Sequence, residues 1–262
     1  MISPQDIGIT LQRLEAIHDI VVLMAVEAGS RAYGLSSENS DYDVRFIYAH
    51  KRDWYLSISL EEQVDHIELS TLDGLDVLGW DLRKALRLFW KSNSSFVEWL
   101  QSDVIYMEKT HFRAQSRRLL ADVYSIEKGM HHYRSLAARN FKKISADTPS
   151  PKVMLSSLRP LLTALWISKY RQPAPLRFNT LLSALKIDPQ LQSDIENLVA
   201  SRSLGSKPLD KSNFTRLYTY IESTLSAPEL IHIQKNSRDD MTDLLSGLFR
   251  QTLSEAWPPE LS

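Results

Sequence analysis

Two acids one residue apart, Asp41 and Asp43, open the apolar run of SDYDVRFIYA. In a strand, residues i and i+2 share a face, so the two carboxylates would stand side by side with Tyr42 turned away. Two anions that close repel each other. A divalent cation removes the penalty, and paired carboxylates holding Mg²⁺ beside substrate phosphates are a common arrangement. A third carboxylate would complete a two-metal site, able to stabilise both the attacking and the leaving oxygen of an in-line displacement. Asp76, a lone acid inside the apolar LDVLGW, is the first candidate for it. Asp81 is the alternative, although a helix N-cap role would already account for it.

The other half of the constellation lies about eleven residues upstream, where the run VVLMAVEA ends in Gly29-Ser30. A glycine at a strand end lets the backbone approach a ligand closely. If SRAYG opens a helical turn, its free N–H groups and positive end favour phosphate, with Ser30 adding a hydroxyl and Arg31 a cation. No Gly-Lys-Ser/Thr follows, so this is not a Walker A loop. Taken singly, Gly-Ser is a turn, Asp-x-Asp a solvated strand start, and Glu27 a residue facing solvent. Their order along the chain carries the weight.

The elements that must position these residues follow from periodicity. Residues 4–19 place Ile7, Ile9, Leu11, Leu14 and Ile17 at mostly helical spacing and lead into VVLMAV, a β-branched strand that stops at glycine. DVRFIYA is expected as the next strand, with Val44, Phe46 and Tyr48 on one face, followed by a short strand at YLSISL, another near VDHIELS, and LDVLGW. DLRKALRLFWKSNS is a helix with Asp81 as N-cap. Beyond about residue 110 the β pattern ends, and helices are expected over 111–127, 130–145, 151–170, 190–202 and 212–225 and in MTDLLSGLFRQTLSEAW. Clusters of Pro and Ser at DTPSP and RQPAP punctuate them.

Composition bounds the rest. The 262 residues are 43% hydrophobic and 24% charged with a net charge of -1, enough for one large domain or two modest ones and unlike a disordered chain. There is no cysteine, which excludes disulfides and thiolate metal sites. The N-terminus lacks the features of a signal peptide, and no apolar run reaches the roughly 20 residues of a membrane span. A cytoplasmic protein that does not enter the membrane is the expectation. The charges are unevenly spread: from Glu27 to Asp81 there are twelve acids and four Lys or Arg, and from Lys128 to Arg177 ten Lys or Arg and one acid, Asp147. Such a division suggests two separate jobs.

With these residues in view, GSRAYGLSSENSDYDVRFIY resembles the signature of the DNA polymerase β-like nucleotidyltransferase superfamily, in which hydrophobic-Gly-Ser precedes acid-x-acid and a third acid on a later strand. The segments GSRAYG, SDYDVR, GWDLRKAL and LRPLL (29–34, 40–45, 79–86 and 158–162) are similar to the predicted nucleotidyltransferase group associated with RNA repair. The resemblance runs over roughly residues 20–180. It implies an α+β fold: a small mixed β-sheet nucleotidyltransferase domain (a polymerase β-like palm) over 1–108, then an α-helical substrate-binding domain over 109–262. It implies that Gly29 and Ser30, with Arg31 beside them, hold the triphosphate of an NTP. Asp41 and Asp43 would bind two Mg²⁺ (or Mn²⁺) ions, and Asp76 would take the third acid's place, with Asp81 still open. The implied reaction moves a nucleoside monophosphate to a hydroxyl, first an RNA 3′ end, and releases pyrophosphate.

The basic stretch agrees with an RNA acceptor. HHYRSLAARNFKK carries Arg134, Arg139, Lys142 and Lys143, and Lys152 and Arg159 fall seven apart, on one helix face, as further nucleotide-binding candidates. Arg159 sits among leucines and must be paired or face a cleft. His131-His132 has no third ligand at zinc spacing. The alternatives are nucleotidylation of a protein or small-molecule hydroxyl and a catalytically silent nucleotide-binding scaffold.

Overall fold

A computed structural model describes residues 2–72, 74–144, 150–203, 211–227 and 239–259. The chain divides into two compact units: Met1–Ala32, Asp41–Tyr124 and Asn236–Ser262 in the first, Tyr33–Ser40 and Ser125–Lys235 in the second. The boundary expected after residue 108 falls inside the first of these units. The helices up to residue 124 and the last helix fall in the same unit as the sheet.

The first unit begins with helix α1 (Pro4–His18), fixed at its start by a capping box between Ser3 and Asp6 and ended by Asp19 in the left-handed conformation. Ile7, Leu11 and Leu14 are its buried stripe, while Ile9 and Ile17 face outward. Five strands follow: β1 (Ile20–Glu27), β2 (Tyr42–His50), β3 (His66–Ser70), β4 (Leu75–Asp81) and β5 (Ile105–Glu108). Their order is β3-β4-β2-β1-β5. Only β2 and β4 run parallel among these neighbours; the other pairs are antiparallel, so the sheet is mixed and the fold is α+β. Val44, Phe46 and Tyr48 all point into the core beside Val22 and Val77, the face expected from their alternation. Gly79 of β4 makes room for the Phe46 ring, which a Cβ at that position would strike.

Between strands and after them come α2 (Gly29–Tyr33), α3 (Leu82–Trp90), α4 (Ser94–Gln101), α5 (Phe112–Arg118) and α6 (Leu120–Val123). YLSISL is not a strand. It forms two short 3-10 turns, Arg52–Leu56 and Leu60–Glu62, with Leu56 and Ile58 exposed. With Leu56 and Ile58 left in solvent, the segment has no buried apolar face of the kind that holds a strand in a sheet. The helix expected over 111–127 breaks after Val123: Tyr124 is extended, and Ser125 caps a new helix by accepting the Lys128 N–H. Strand β5 and helix α4 were not anticipated from periodicity.

The second unit contains α7 (Ile126–Phe141), α8 (Pro151–Tyr170), α9 (Phe178–Ala184), α10 (Pro189–Ser203) and α11 (Lys211–Ser226). α7 packs along α8, with the Ser157 hydroxyl donating to the Ala137 carbonyl at 2.9 Å. Arg134 donates to the carbonyls of Leu225 (2.6 Å) and Ala227, closing the C-terminal end of α11. Asp194, fully buried, holds Arg216 by two bonds of 2.5 and 2.7 Å, joining α10 to α11. Asp147 and position 145, the end of one expected helix, lie outside the described residues. The last helix, α12 (Asp239–Ala256), belongs to the first unit, where Phe249 meets Tyr55 edge-on at 5.0 Å and Glu255 accepts the His111 N–H.

Candidate active site

The site gathers at one end of two parallel strands. Asp43 is the second residue of β2 and Asp76 the second of β4, and the register places them directly beside each other. Asp41 precedes β2 rather than lying within it, so the Asp41–Asp43 pair is one strand residue and one loop residue. Tyr42 fastens the start of β2 by donating its N–H to the Gly74 carbonyl at 2.8 Å.

Glycine 29 explains why Asp43 can sit where it does. Its φ is +58°, and a Cβ there would run into the Asp43 carboxylate. The bare backbone of the Gly-Ser turn therefore lies directly against the acid. Gly29 and Ser30 begin α2, as the helical-turn expectation required. Arg31 is folded back over the Tyr42 ring at 3.9 Å, with its Nε donating to the Asp41 carbonyl at 3.1 Å, so it braces the loop that carries Asp41.

Arg45, two residues on from Asp43, is the residue that periodicity passed over. Its Nη2 donates to Asp76 (2.7 Å) and Asp43 (3.2 Å), and its Nη1 to the carbonyls of Asp76 (3.0 Å) and Val44 (3.1 Å). The guanidinium thus supplies the positive charge that two neighbouring carboxylates need. Burial still pushes the Asp43 carboxyl above its ordinary value: Arg45 opposes the shift, while Asp76 and Asp41 add to it. Asp76 differs. Burial would raise it too, but the Arg45 and Ser70 hydrogen bonds outweigh that and hold it below the usual carboxylate range.

Glu27 does not face solvent. It is completely buried, and its carboxylate accepts the Asp43 N–H at 3.0 Å and the Tyr106 hydroxyl. Burial pushes the Glu27 carboxyl up, and those hydrogen bonds only partly offset the shift. Together with the 2.8 Å bond from the Ala28 N–H to the Asp43 carbonyl, it holds the Asp43 backbone from both sides. The available signal was an acid closing an apolar run, but its second partner sits on β5, whose existence was not legible.

Asp81 is elsewhere. At the far end of β4 it caps α3 by accepting the Arg83 N–H (2.8 Å) and also accepts the Tyr55 hydroxyl (2.6 Å). Burial pushes its pKa up to about 6. The structure thus brings Asp76, not Asp81, next to Asp43. Lys152 and Arg159 belong to the second unit. Lys152 is exposed, whereas Arg159 is only 8% exposed and stacks its guanidinium 3.3 Å from the centre of the Tyr33 ring. The shared helix face does not give them a shared environment.

The residues suit a divalent cation in kind. Mg²⁺ needs only one or two carboxylates and completes its shell with phosphate and water oxygens, and Asp41, Asp43 and Asp76 are hard oxygen donors. Among the described residues, no three acidic or histidine side chains are gathered tightly enough to hold an ion by themselves. Among the same residues, no helix is long and apolar enough to cross a membrane.

Comparison with known proteins gives the family. YcgL of Bacillus subtilis, an uncharacterized protein, is 37% identical over 253 residues, covering 94% of this chain and 95% of its own. The uncharacterized MJ0002 of Methanocaldococcus jannaschii is 24% identical over 203 residues, covering 76% and 80%. The crystal structure of a nucleotidyltransferase-like protein from Exiguobacterium sibiricum aligns over 95% of this chain and 77% of its own, with 11% identity and a TM-score of 0.32, too remote to argue from. Residues 4–251 match the sequence pattern of one family nearly from end to end. The chain is a member of the RNA repair pathway DNA polymerase beta family.

Proposed function

We propose that the protein transfers a nucleoside monophosphate from an NTP to a hydroxyl, first an RNA 3′ end, with release of pyrophosphate. The observation that carries this reading is the Gly-Ser turn lying bare against Asp43, with Asp76 in register beside it. Triphosphate held by the backbone and hydroxyl of Gly29 and Ser30 would meet the carboxylates without an intervening side chain. Two divalent cations, when bound by Asp41, Asp43 and Asp76, would supply charge at the attacking and leaving oxygens. The chain's own contribution is positioning: Glu27 and Ala28 fix the Asp43 backbone, and Arg45 orients the Asp43 and Asp76 carboxylates. The sheet-bearing unit would carry the transfer centre, and the basic helices of the second unit would bind the acceptor.

The test is incubation with each labelled NTP, Mg²⁺ or Mn²⁺, and total RNA or total protein. Label at RNA 3′ ends supports the reading. Label in protein would move the acceptor, and no transfer with any nucleotide would sink the enzyme.

A further inference from the structure

A second cleft lies within the first unit, at the other end of the sheet from the acids. Its volume is about 570 Å³, within the usual range of small-ligand sites. Helix α3 presents Leu86, Arg87 and Trp90 to it, and α12 presents Leu245, Phe249 and Arg250. Each trio falls at helical spacing, so two helix stripes form the walls. Tyr55 closes one side. Its hydroxyl is engaged with Asp81 at the last position of β4 and accepts the N–H of His50 at the last position of β2, so its ring, not its hydroxyl, is offered to the cavity. Asp43 and Asp76 are the second residues of those same strands, on the order of 20 Å away at the rise of a strand.

The lining has two characters. Leu86 and Leu245 are buried and make an apolar floor, with the aromatic rings of Tyr55, Trp90 and Phe249 beside it. The rim is basic: Arg83 is held by Glu61 at 2.7 Å, while Arg87 and Arg250 are exposed. Among the described residues, three arginines thus stand against Glu61, leaving a surplus of positive charge over an aromatic, apolar slot. A flat base gains from stacking on such rings, and guanidinium groups match phosphate oxygens. A purely apolar ligand would leave the arginines without purpose, and a bare anion would leave the aromatic floor exposed.

We propose that this cleft is a second nucleotide-binding site, taking one base–phosphate unit of an RNA strand remote from the transfer centre. It rests on the reading that the acceptor is RNA, and it gives the acceptor a grip that is independent of its reacting end.

The test uses the full chain with two photo-reactive probes, a short oligoribonucleotide carrying 4-thiouridine and 4-thiouridine monophosphate, with cross-linked residues mapped by mass spectrometry. The oligonucleotide is expected to mark Tyr55, Trp90 or Phe249. In Arg87→Gln/Arg250→Gln, its affinity should fall about tenfold and its salt dependence flatten by about 0.7 log–log unit per lost phosphate contact, with NTP binding unchanged. Cross-linking here by the monophosphate alone would overturn the strand assignment. RNA that is labelled at its 3′ end yet never cross-links to this cleft would overturn the site and leave the transfer reading intact. Cross-linking here without any transfer to RNA would do the reverse.

Discussion

Asp43 depends on what its neighbours lack or supply. Gly29 lacks a side chain, Glu27 takes its N–H, and Arg45 balances its charge. Gly29→Ala combines a Cβ driven into the carboxylate with a positive φ that costs a non-glycine residue about 1–2 kcal/mol. Its expected result is loss of transfer together with a lowered melting temperature; full activity would show that the close approach does not matter. Asp43→Asn is expected to abolish transfer while leaving the melting temperature equal or slightly raised. Burial disfavours the charged form, so deleting the charge does not cost the fold. A large stability loss with activity retained would mean that Asp43 is a structural acid.

At the scale of elements, β4 connects the two ends of its unit, with Asp76 at its start and Asp81 at its finish. Asp76→Ala should remove transfer and spare nucleotide binding, measured by isothermal titration with an NTP. Asp81 should act on stability instead. Its pKa is raised from 3.8 to about 6, so the folded state binds the proton more tightly than the unfolded chain does. Its contribution is therefore greatest below about pH 4, is lost as pH rises through about 6, and is flat above. Asp81→Asn keeps a cap acceptor but cannot titrate. Urea unfolding should show the wild type losing up to about 3 kcal/mol relative to this variant between pH 4 and 6. A difference independent of pH would refute the buried, proton-binding carboxyl.

For the molecule as a whole, the separation of charge along the sequence survives as a separation between compact units. Lys142, Lys143 and Lys152 are exposed on the helical unit, whereas Arg159 is buried and Arg134 caps a helix. Under the proposed reading, these three exposed lysines are the candidates to bind a polynucleotide. Replacing them with glutamine should raise the acceptor KM and flatten its salt dependence, while NTP affinity stays constant. Arg159→Ala should instead lower stability, because it removes a buried guanidinium from the Tyr33 ring. Unchanged acceptor KM at low and high salt in the lysine variant would exclude this face. What the amino-acid sequence determined by itself was local or periodic: the α1 stripe, the β2 face of Val44, Phe46 and Tyr48, the Asp81 cap, and the Gly-Ser to Asp-x-Asp spacing. Rules of backbone geometry act within a few residues, and a single sequence displays them. What only the tertiary structure decided was pairing. YLSISL formed turns because its apolar residues Leu56 and Ile58 found no buried face, Asp76 met Asp43 because β2 and β4 run parallel, and Glu27 went inward because β5 brought Tyr106 to it. Those outcomes depend on which distant segments compete for the same hydrogen bonds and the same buried space, and no window of sequence contains both competitors.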